Sequence, residues 1–187
     1  MKKGKLIVIS GPSGVGKDTV VKELLKNNDN FELSISMTSR EKRLNEQDKV
    51  DYYFVSKEKF EKEIENNNLL EWAKYNDNYY GTPKKEIEKR INNNINVFLV
   101  IEVVGGMNIK KMLKDDALLI FLLPPDFKEL RNRIVNRNLD NEENINKRLK
   151  IAEEEIKVSK KYDYVVVNDV LNKTVKEIEN IIKKELK

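Results

Sequence analysis

The chain has 187 residues, 39% hydrophobic and 36% charged, so it is long enough for one α/β domain with a buried core. Its net charge of +4 comes from 36 basic and 32 acidic residues that are interspersed, which gives no indication of nucleic-acid binding. Cysteine and histidine are both absent, which excludes disulfides, Cys/His zinc sites, thiol nucleophiles and histidine bases. Phosphoryl transfer needs neither residue and stays open.

The N-terminus starts with basic residues, but the apolar run that follows covers only Leu6 to Ile9, which is too short for a signal peptide. No apolar stretch approaches the roughly 20 residues that a membrane-spanning helix needs. These two observations predict a cytoplasmic protein that has no membrane partner.

The first predicted element is a buried strand over Leu6 to Ile9, which leads into a glycine-rich loop and the start of a helix. This segment consists of Gly11, Pro12, Ser13, Gly14, Val15, Gly16, Lys17, Asp18 and Thr19. The spacing fits GxxxxGK, in which backbone N–H groups surround a phosphate and the lysine adds a positive charge. An ordinary glycine-rich turn is the alternative. A strand, two spaced glycines and a lysine in this order favour the phosphate-binding loop.

Asp18 follows the loop lysine, where the general motif has Ser or Thr, and the hydroxyl comes one residue later at Thr19. Asp18 therefore cannot offer the usual hydroxyl to Mg²⁺. It either holds the metal through water or is simply a carboxylate that suits a helix N-terminus. Thr19 is the candidate metal ligand, directly or through water.

The chain between the loop and residue 83 alternates between short apolar and polar segments. Helical spacing predicts a first helix over 19–27, and Ser56 caps a predicted helix over 57–66. The strand-like segments are 31–36, 52–55, 69–73 and 78–82. The region from about 36 to 82 is richer in aromatic and hydroxyl residues than the rest, so we predict a substrate-binding insertion there.

The remaining chain shows helices that alternate with buried strands. The predicted strands are 97–102, 117–123 and 164–167. The predicted helices are 83–92, a short one that ends at Met112 after a turn at Gly105-Gly106, 127–137, 145–160 and 173–186, with a polar hinge over 138–144. This alternation predicts a parallel sheet covered on both faces, with ligands bound at the carboxyl ends of its strands.

Nine segments in order resemble the guanylate kinases, and the resemblance runs from Lys5 to about Asp169. They are GPSGVGKDT at 11–19, SISMTSR at 34–40 with Arg43, DYYF at 51–54, LEW at 70–72, NYYGT at 78–82, VIEVVGG at 100–106, LLPP at 122–125, NKRL at 146–149 and VVVND at 165–169. Each segment alone is weak evidence. Nine in order over most of the chain make the resemblance specific.

The resemblance implies a three-layer α/β/α P-loop kinase core with a parallel sheet, a GMP-binding insertion and a helical lid. In this chain the core matches about 1–35, 83–125 and 149–187, the insertion about 36–82 and the lid about 126–148. The implied reaction transfers the ATP γ-phosphate to GMP and gives GDP and ADP. Its implied cofactor is Mg²⁺ bound with ATP, its partners are ATP and GMP without nucleic acid or membrane, and the oligomeric state is a monomer or homodimer.

The same resemblance assigns roles to individual residues. The phosphate loop from Gly11 to Thr19 and Asn168 bind ATP, and the groups that stabilise the transferred phosphoryl group are Lys17, Arg133, Arg137 and Arg148. The GMP phosphate is held by Arg40, Arg43, Tyr52 and Tyr80, with Ser36 nearby, and the guanine is contacted by Glu71, Thr82 and Glu102. From its own surroundings in the sequence, Glu71 would be a surface acid at a strand edge.

Several positions depart from the family pattern, namely Lys42, Asn45, Val100, Val104 and Asn138. Val100 removes a candidate for water-mediated contact with Mg²⁺. Two alternatives remain. One is a related sugar kinase, against which Glu71, Tyr80 and Thr82 argue. The other is a non-catalytic interaction module, in which the phosphate loop is typically degraded, whereas Lys17 and its glycines are intact here.

Overall fold

The computed structural model describes residues 3–75, 77–137 and 142–186, apart from the side chains of Tyr75 and Arg137. Its strands are β1 (Leu6–Ser10), β2 (Phe31–Leu33), β3 (Met37–Thr38), β4 (Tyr53–Phe54), β5 (Leu69–Tyr75), β6 (Asn78–Pro83), β7 (Asn96–Val100), β8 (Ala117–Leu123) and β9 (Tyr164–Val167). Its α-helices are α1 (Lys17–Lys26), α2 (Lys57–Glu65), α3 (Lys84–Asn92), α4 (Val103–Leu113), α5 (Phe127–Arg137), α6 (Glu142–Val158) and α7 (Leu171–Glu185). Within the described ranges, no helix is long and apolar enough to cross a membrane.

Five strands form a parallel core sheet in the order β2-β7-β1-β8-β9. The central strand β1 is buried along its whole length, as expected for a parallel sheet that helices cover on both faces. Because β1 lies in the middle, the loop that follows it opens at the centre of the sheet's carboxyl edge, where α/β proteins bind their ligands.

Side chains of β1 alternate between two hydrophobic layers. Ile7 and Ile9 pack in a cluster with Val20 of α1 and Ile178 of α7. Leu6 and Val8 pack on the opposite face, in a second cluster with residues of α3 and α4. This alternation follows from the two-residue period of a strand. The three-layer α/β/α core is thus confirmed.

The insertion forms a sheet of its own in the order β4-β3-β6-β5, in which β6 is antiparallel to both of its neighbours. Helix α2 covers this sheet, and the ring of Phe60 stacks on that of Tyr79 with centroids 5.2 Å apart. The predicted strand-like segments 52–55, 69–73 and 78–82 therefore assemble into one mixed sheet with β3, which was not predicted as a strand.

Helices α5 and α6 share a small hydrophobic cluster that is separate from the two core layers. Its buried members are Leu130, Ile134, Ile145 and Ala152. The predicted lid boundary at residue 148 falls inside α6, which continues without a break to Val158. The division into core, insertion and lid stays a prediction.

Three predicted elements differ from the structure. The second strand ends at Leu33 rather than Ser36, because the chain leaves the core sheet there for the insertion. Gly105 and Gly106 lie inside α4 rather than in a turn before it, so that prediction was wrong. A Cβ at Gly106 would lie 2.2 Å from the Tyr162 hydroxyl, so close packing explains this glycine. Of the predicted hinge, 138–141 lie outside the described residues, and the rest belongs to α6.

Candidate active site

The phosphate loop joins β1 to α1, and its shape depends on glycine. Gly16, the residue that precedes the first turn of α1, has a φ of 98°, which lies in the left-handed region that L side chains rarely adopt. A Cβ at this position would also lie 2.7 Å from Nδ2 of Asn168. The first-turn N–H groups of a helix have no acceptor within the helix and carry the positive end of its dipole. The loop therefore offers backbone donors to an anion.

Lys17 lies over the loop that precedes it. Its Nζ donates to the carbonyl oxygens of Gly11 at 2.7 Å and Pro12 at 3.3 Å, and it lies 3.8 Å from Oε2 of Glu102. The side chain is only 10% exposed. The ammonium group is thus held against the phosphate loop. This position agrees with its predicted role in phosphate binding.

A cleft of about 360 Å³ lies beside the loop and is lined by Gly16, Thr19, Arg133, Asn168 and Asp169, among others. Asn168 is buried and its Nδ2 donates to the Val15 carbonyl oxygen at 2.8 Å. This bond ties the end of β9 to the phosphate loop. Asn168 therefore supports the loop itself, beside the place where the predicted adenine would lie.

Two arginines of the predicted lid contact the same loop. Arg133 donates through Nη1 to the carbonyl oxygens of Asn168 at 3.0 Å and Val15 at 3.3 Å. Arg148 donates through Nη2 to the Ser13 hydroxyl at 2.8 Å. The side chain of Arg137 and all of Asn138 lie outside the described residues, so their predicted roles stay predictions.

The predicted acceptor clamp is assembled from the residue that precedes β4, from β6 and from the turn after β3. The guanidinium carbon of Arg40 lies 5.7 Å from the Tyr52 ring centre, and the Tyr52 and Tyr80 rings are 6.2 Å apart. Arg40 also interacts with the Tyr80 hydroxyl. Arg43 follows in the same turn with an exposed side chain. Three of the four predicted phosphate ligands are therefore brought together, and Arg43 stands at the rim.

Tyr52 links the insertion to the phosphate loop. Burial, followed by the charges of the Asp18 and Glu102 carboxylates, raises the pKa of its hydroxyl to about 12. Such an effect requires both carboxylates to lie near Tyr52, because Coulomb interactions weaken with distance and with solvent screening. The clamp residue Tyr52 thus lies near the start of α1 and near Glu102.

Glu71 and Thr82 form a buried pair, since β5 and β6 place them opposite each other. The Thr82 hydroxyl donates to Oε1 of Glu71 at 2.8 Å, and Glu71 is only 6% exposed. Burial raises the pKa of Glu71 to about 7, although the hydrogen bond from Thr82 opposes this effect. Glu71 is therefore not a surface acid. A buried carboxylate beside a hydroxyl is suited to reading hydrogen-bond donors of a ligand.

Two other predicted GMP-binding residues, Glu102 on the guanine side and Ser36 near the phosphate, lie apart from the buried pair. Glu102 directly precedes α4, and its carboxylate pairs with Lys17 rather than standing with Glu71 and Thr82. Ser36 is half-buried between β2 and β3, and its carbonyl accepts from the Tyr53 backbone N–H at 2.9 Å.

Sequence reasoning missed two acidic residues at this site. Glu46 forms a bidentate ion pair with Arg40. Glu155 of α6 lies near Glu102 and Lys17, and burial, followed by the Glu102 carboxylate, raises its pKa to about 7. The signals were present in the sequence. Glu46 follows two arginines in a short polar turn, and Glu155 stands seven residues, about two helical turns, after Arg148.

The site's oxygen donors fit Mg²⁺ in kind, because carboxylates and hydroxyls are the ligands it prefers. Asp18 and Thr19 are both exposed in the first turn of α1. Among the described residues, no group of three acidic, histidine or cysteine side chains could hold a metal. A Mg²⁺ ion bound here would thus take most ligands from water and nucleotide phosphates, as it usually does in kinases.

Comparison with known proteins agrees with this geometry. A family model described as guanylate kinase matches residues 3–185. The guanylate kinase of Latilactobacillus sakei is 50% identical over 184 residues, covering 98% of this chain and 90% of that protein. The guanylate kinase of Clostridioides difficile is 49% identical over 185 residues, covering 99% and 90%.

Solved structures give the same result. The crystal structure of guanylate kinase from Anaplasma phagocytophilum superposes with a TM-score of 0.82 at 34% identity, covering 98% of this chain and 87% of that one. A shikimate kinase from Bacteroides thetaiotaomicron, with a TM-score of 0.52 at 12% identity, shares the fold alone. The family model matches residues 3–185, and the two relatives and the solved guanylate kinase structure each cover at least 98% of the chain. This chain therefore belongs to the guanylate kinase family.

Proposed function

We propose that this protein transfers the γ-phosphoryl group of ATP to the phosphate of GMP in an in-line displacement. The bond between the γ-phosphorus and the oxygen of the ADP leaving group breaks, while a bond from a GMP phosphate oxygen to that phosphorus forms. The observation that carries the proposal is the position of Tyr52. This residue belongs to the proposed acceptor clamp, and after burial the carboxylate of Asp18 in the phosphate loop contributes most to its raised pKa. Two anion sites that face each other suit direct transfer between two phosphates.

In this proposal the phosphate loop from Gly11 to Thr19 binds the ATP phosphates through its backbone N–H groups. Lys17 neutralises charge on the transferred phosphoryl group, supported by Arg133, Arg137 and Arg148 from the lid. Arg148 already reaches the loop at Ser13, so the distance it has to move is short. Asn168 holds the loop beside the adenine.

The acceptor phosphate lies against Arg40, Arg43, Tyr52 and Tyr80. This phosphate is already an anion, so its oxygen attacks without a general base. The absence of histidine therefore does not prevent the reaction. The work of the protein is to position both phosphates, supply positive charge and exclude water.

Glu71 selects the base. As a carboxylate it accepts hydrogen bonds from the guanine N1–H and 2-amino group, while Thr82 occupies its other oxygen. Adenine has a lone pair at N1 and no 2-amino group, so it would leave the buried carboxylate unpaired. Such a site discriminates strongly between guanine and adenine, because a buried polar group without a hydrogen-bond partner weakens binding. Glu102 is proposed to contact the guanine as well, although its carboxylate pairs with Lys17 in this structure, and Ser36 is proposed to lie near the GMP phosphate.

Mg²⁺ is the proposed cofactor, and it supplies charge neutralisation on the ATP phosphates when bound. Thr19 would hold it directly or through water, and Asp18 through water. The structure supports Asp18 most, because its carboxylate lies near Tyr52 and therefore toward the gap between the two phosphates. A cytoplasmic location and a monomeric or homodimeric state complete the proposal.

A coupled ADP-release assay tests the function. Mg²⁺-ATP is supplied with GMP, AMP, UMP or CMP at equal concentrations, and the expected result is fast turnover with GMP alone. Turnover with none of the four would contradict the proposal, and ATP affinity would then separate a sugar kinase, which binds ATP, from a non-catalytic interaction module. Fast turnover with AMP would contradict the role of Glu71.

A further inference from the structure

We propose that Glu46 is a positioning residue for the acceptor phosphate, because it holds Arg40 with one edge of the guanidinium directed at Tyr80. The inference deepens the proposed function and rests on it. Glu46 itself would not touch the nucleotide. It would act through Arg40 and through the turn that carries Arg43.

The ion pair between these residues is bidentate and shielded. Nη1 of Arg40 donates to Oε2 of Glu46 at 3.0 Å, and Nη2 donates to Oε1 at 2.7 Å. The two side chains are only 15% and 17% exposed. Arg40 holds the pKa of Glu46 below its usual value, so the carboxylate stays charged at neutral pH. Such a pair is stronger than a surface salt bridge, which is usually weak.

Arg40 has more N–H donors than its two glutamate partners use. A guanidinium has five, and Nη1 also donates to the Glu41 carbonyl oxygen at 2.6 Å. Glu46 and Glu41 therefore use three. Neither Glu46 nor Glu41 uses the Nε–H or the second Nη2 N–H, which lie parallel on one edge, and the Tyr80 hydroxyl also hydrogen-bonds to Arg40. This edge matches two phosphate oxygens in a bidentate geometry.

Two aromatic rings restrict the plane of the guanidinium further. Its carbon lies 5.7 Å from the Tyr52 ring centre and 5.6 Å from that of Phe54. Cations favour such positions over aromatic faces. With one edge bound to Glu46 and aromatic rings beside it, Arg40 keeps the same orientation before and after the phosphate arrives, which lowers the entropy cost of binding.

Glu46 also closes the turn that carries Arg43. Oε2 of Glu46 accepts from the Arg43 backbone N–H at 2.9 Å, and the Glu46 backbone N–H donates to the Arg43 carbonyl oxygen at 3.1 Å. One carboxylate thus connects both arginines of the clamp. This contact is useful in a turn that has Lys42 and Asn45, where the family pattern has proline and glycine.

The test measures binding of GMP and of guanosine by calorimetry for the wild type and Glu46→Gln. Because the phosphate is the only difference between these ligands, we expect Glu46→Gln to weaken GMP about tenfold, as for the loss of one charge-assisted pair. Guanosine affinity should stay within about twofold. Glu46→Asp keeps the charge and should recover part of the GMP affinity.

The matched control is Glu86→Gln, which breaks another Arg–Glu pair, with Arg90 at 2.5 Å, outside the site. It should leave both affinities unchanged. Equal losses of GMP and guanosine in Glu46→Gln would indicate a merely structural role, and tighter GMP binding would show that Glu46 competes with the phosphate; either result overturns the inference. A wild type that binds GMP no better than guanosine would overturn the clamp and the proposed function together.

Discussion

The phosphate loop and the acceptor clamp are both proposed to present positive charge to a phosphate, but they are built in different ways. The loop consists of consecutive residues, and its shape depends on backbone angles such as the φ of 98° at Gly16. The clamp brings Arg40, Tyr52 and Tyr80 together from three separate segments, and its shape depends on side-chain contacts such as the Arg40–Glu46 pair.

This difference has consequences for mutation. Backbone donors are present whatever the side chain, so the loop should tolerate most substitutions except at its glycines and at Lys17. The clamp uses side-chain donors, so each of its residues should matter for acceptor binding. Substitutions in the loop should therefore change ATP binding or turnover with little effect on GMP affinity, and substitutions in the GMP site should do the reverse.

The largest effect is expected for Lys17→Met. Removing the ammonium group that faces the transferred phosphoryl group should reduce kcat by about 10³-fold or more, whereas GMP affinity should change less than twofold. Steady-state kinetics and GMP titration measure the two quantities. Lys22→Met, on the exposed face of α1, is the control. An unchanged kcat would remove Lys17 from the catalytic residues.

A smaller but more selective effect is expected for Glu71→Gln. The amide replaces an acceptor with a donor opposite the guanine, so GMP affinity should fall about 100-fold while ATP affinity stays within about twofold. Binding titrations with each nucleotide measure this, with the exposed Glu65→Gln as control. Equal losses for both nucleotides would show that Glu71 does not read the base.

Gly16→Ala should affect the phosphate loop and leave the GMP site intact. The alanine must adopt a φ of 98° beside Asn168, at a cost of about 1–3 kcal/mol in the free energy of unfolding. ATP affinity should fall about tenfold because the loop shifts, and GMP affinity should be unaffected. Chemical denaturation and the two titrations check this. A loss of GMP affinity as large as that of ATP would show that the two regions are not independent.

The effect expected to be smallest at neutral pH, and to grow in acid, is a pH dependence of GMP binding. Burial raises the pKa of Glu71 to about 7, so the folded protein holds a proton there in mild acid, and that proton must leave before the carboxylate can accept from guanine. GMP affinity should therefore rise with pH below 7, by up to about tenfold per pH unit, and level off above it.

Titrations from pH 5.5 to 8.5 measure this dependence, and the same titrations of Glu71→Gln are the control. Ionisation of the GMP phosphate is common to both proteins, so the difference between their profiles isolates Glu71. Identical profiles would contradict the assignment.

Much of the loop was predictable from sequence, because its signals are local. An apolar strand, spaced glycines and a lysine stand next to one another, and the structure places them as expected. Glu71 was the opposite case. Its neighbours in sequence indicated a surface acid, and only the resemblance to a family assigned it a role at the base. The structure buries it because β5 pairs with β6 and α4 packs against β5, with Gly105 close to its carboxylate.

The resemblance of nine segments identified the family, and the sequence pattern by itself determined the phosphate loop and most of the order of strands and helices, with β3 as an exception. These depend on the periodicity of apolar residues and on contacts between near neighbours, which a linear pattern records. Only the tertiary structure decided that Glu46 binds Arg40, that the charge of Asp18 acts on Tyr52 and that Glu71 has a raised pKa. The physical reason is that desolvation and Coulomb interactions depend on distance and burial in space, which separation along the chain does not specify.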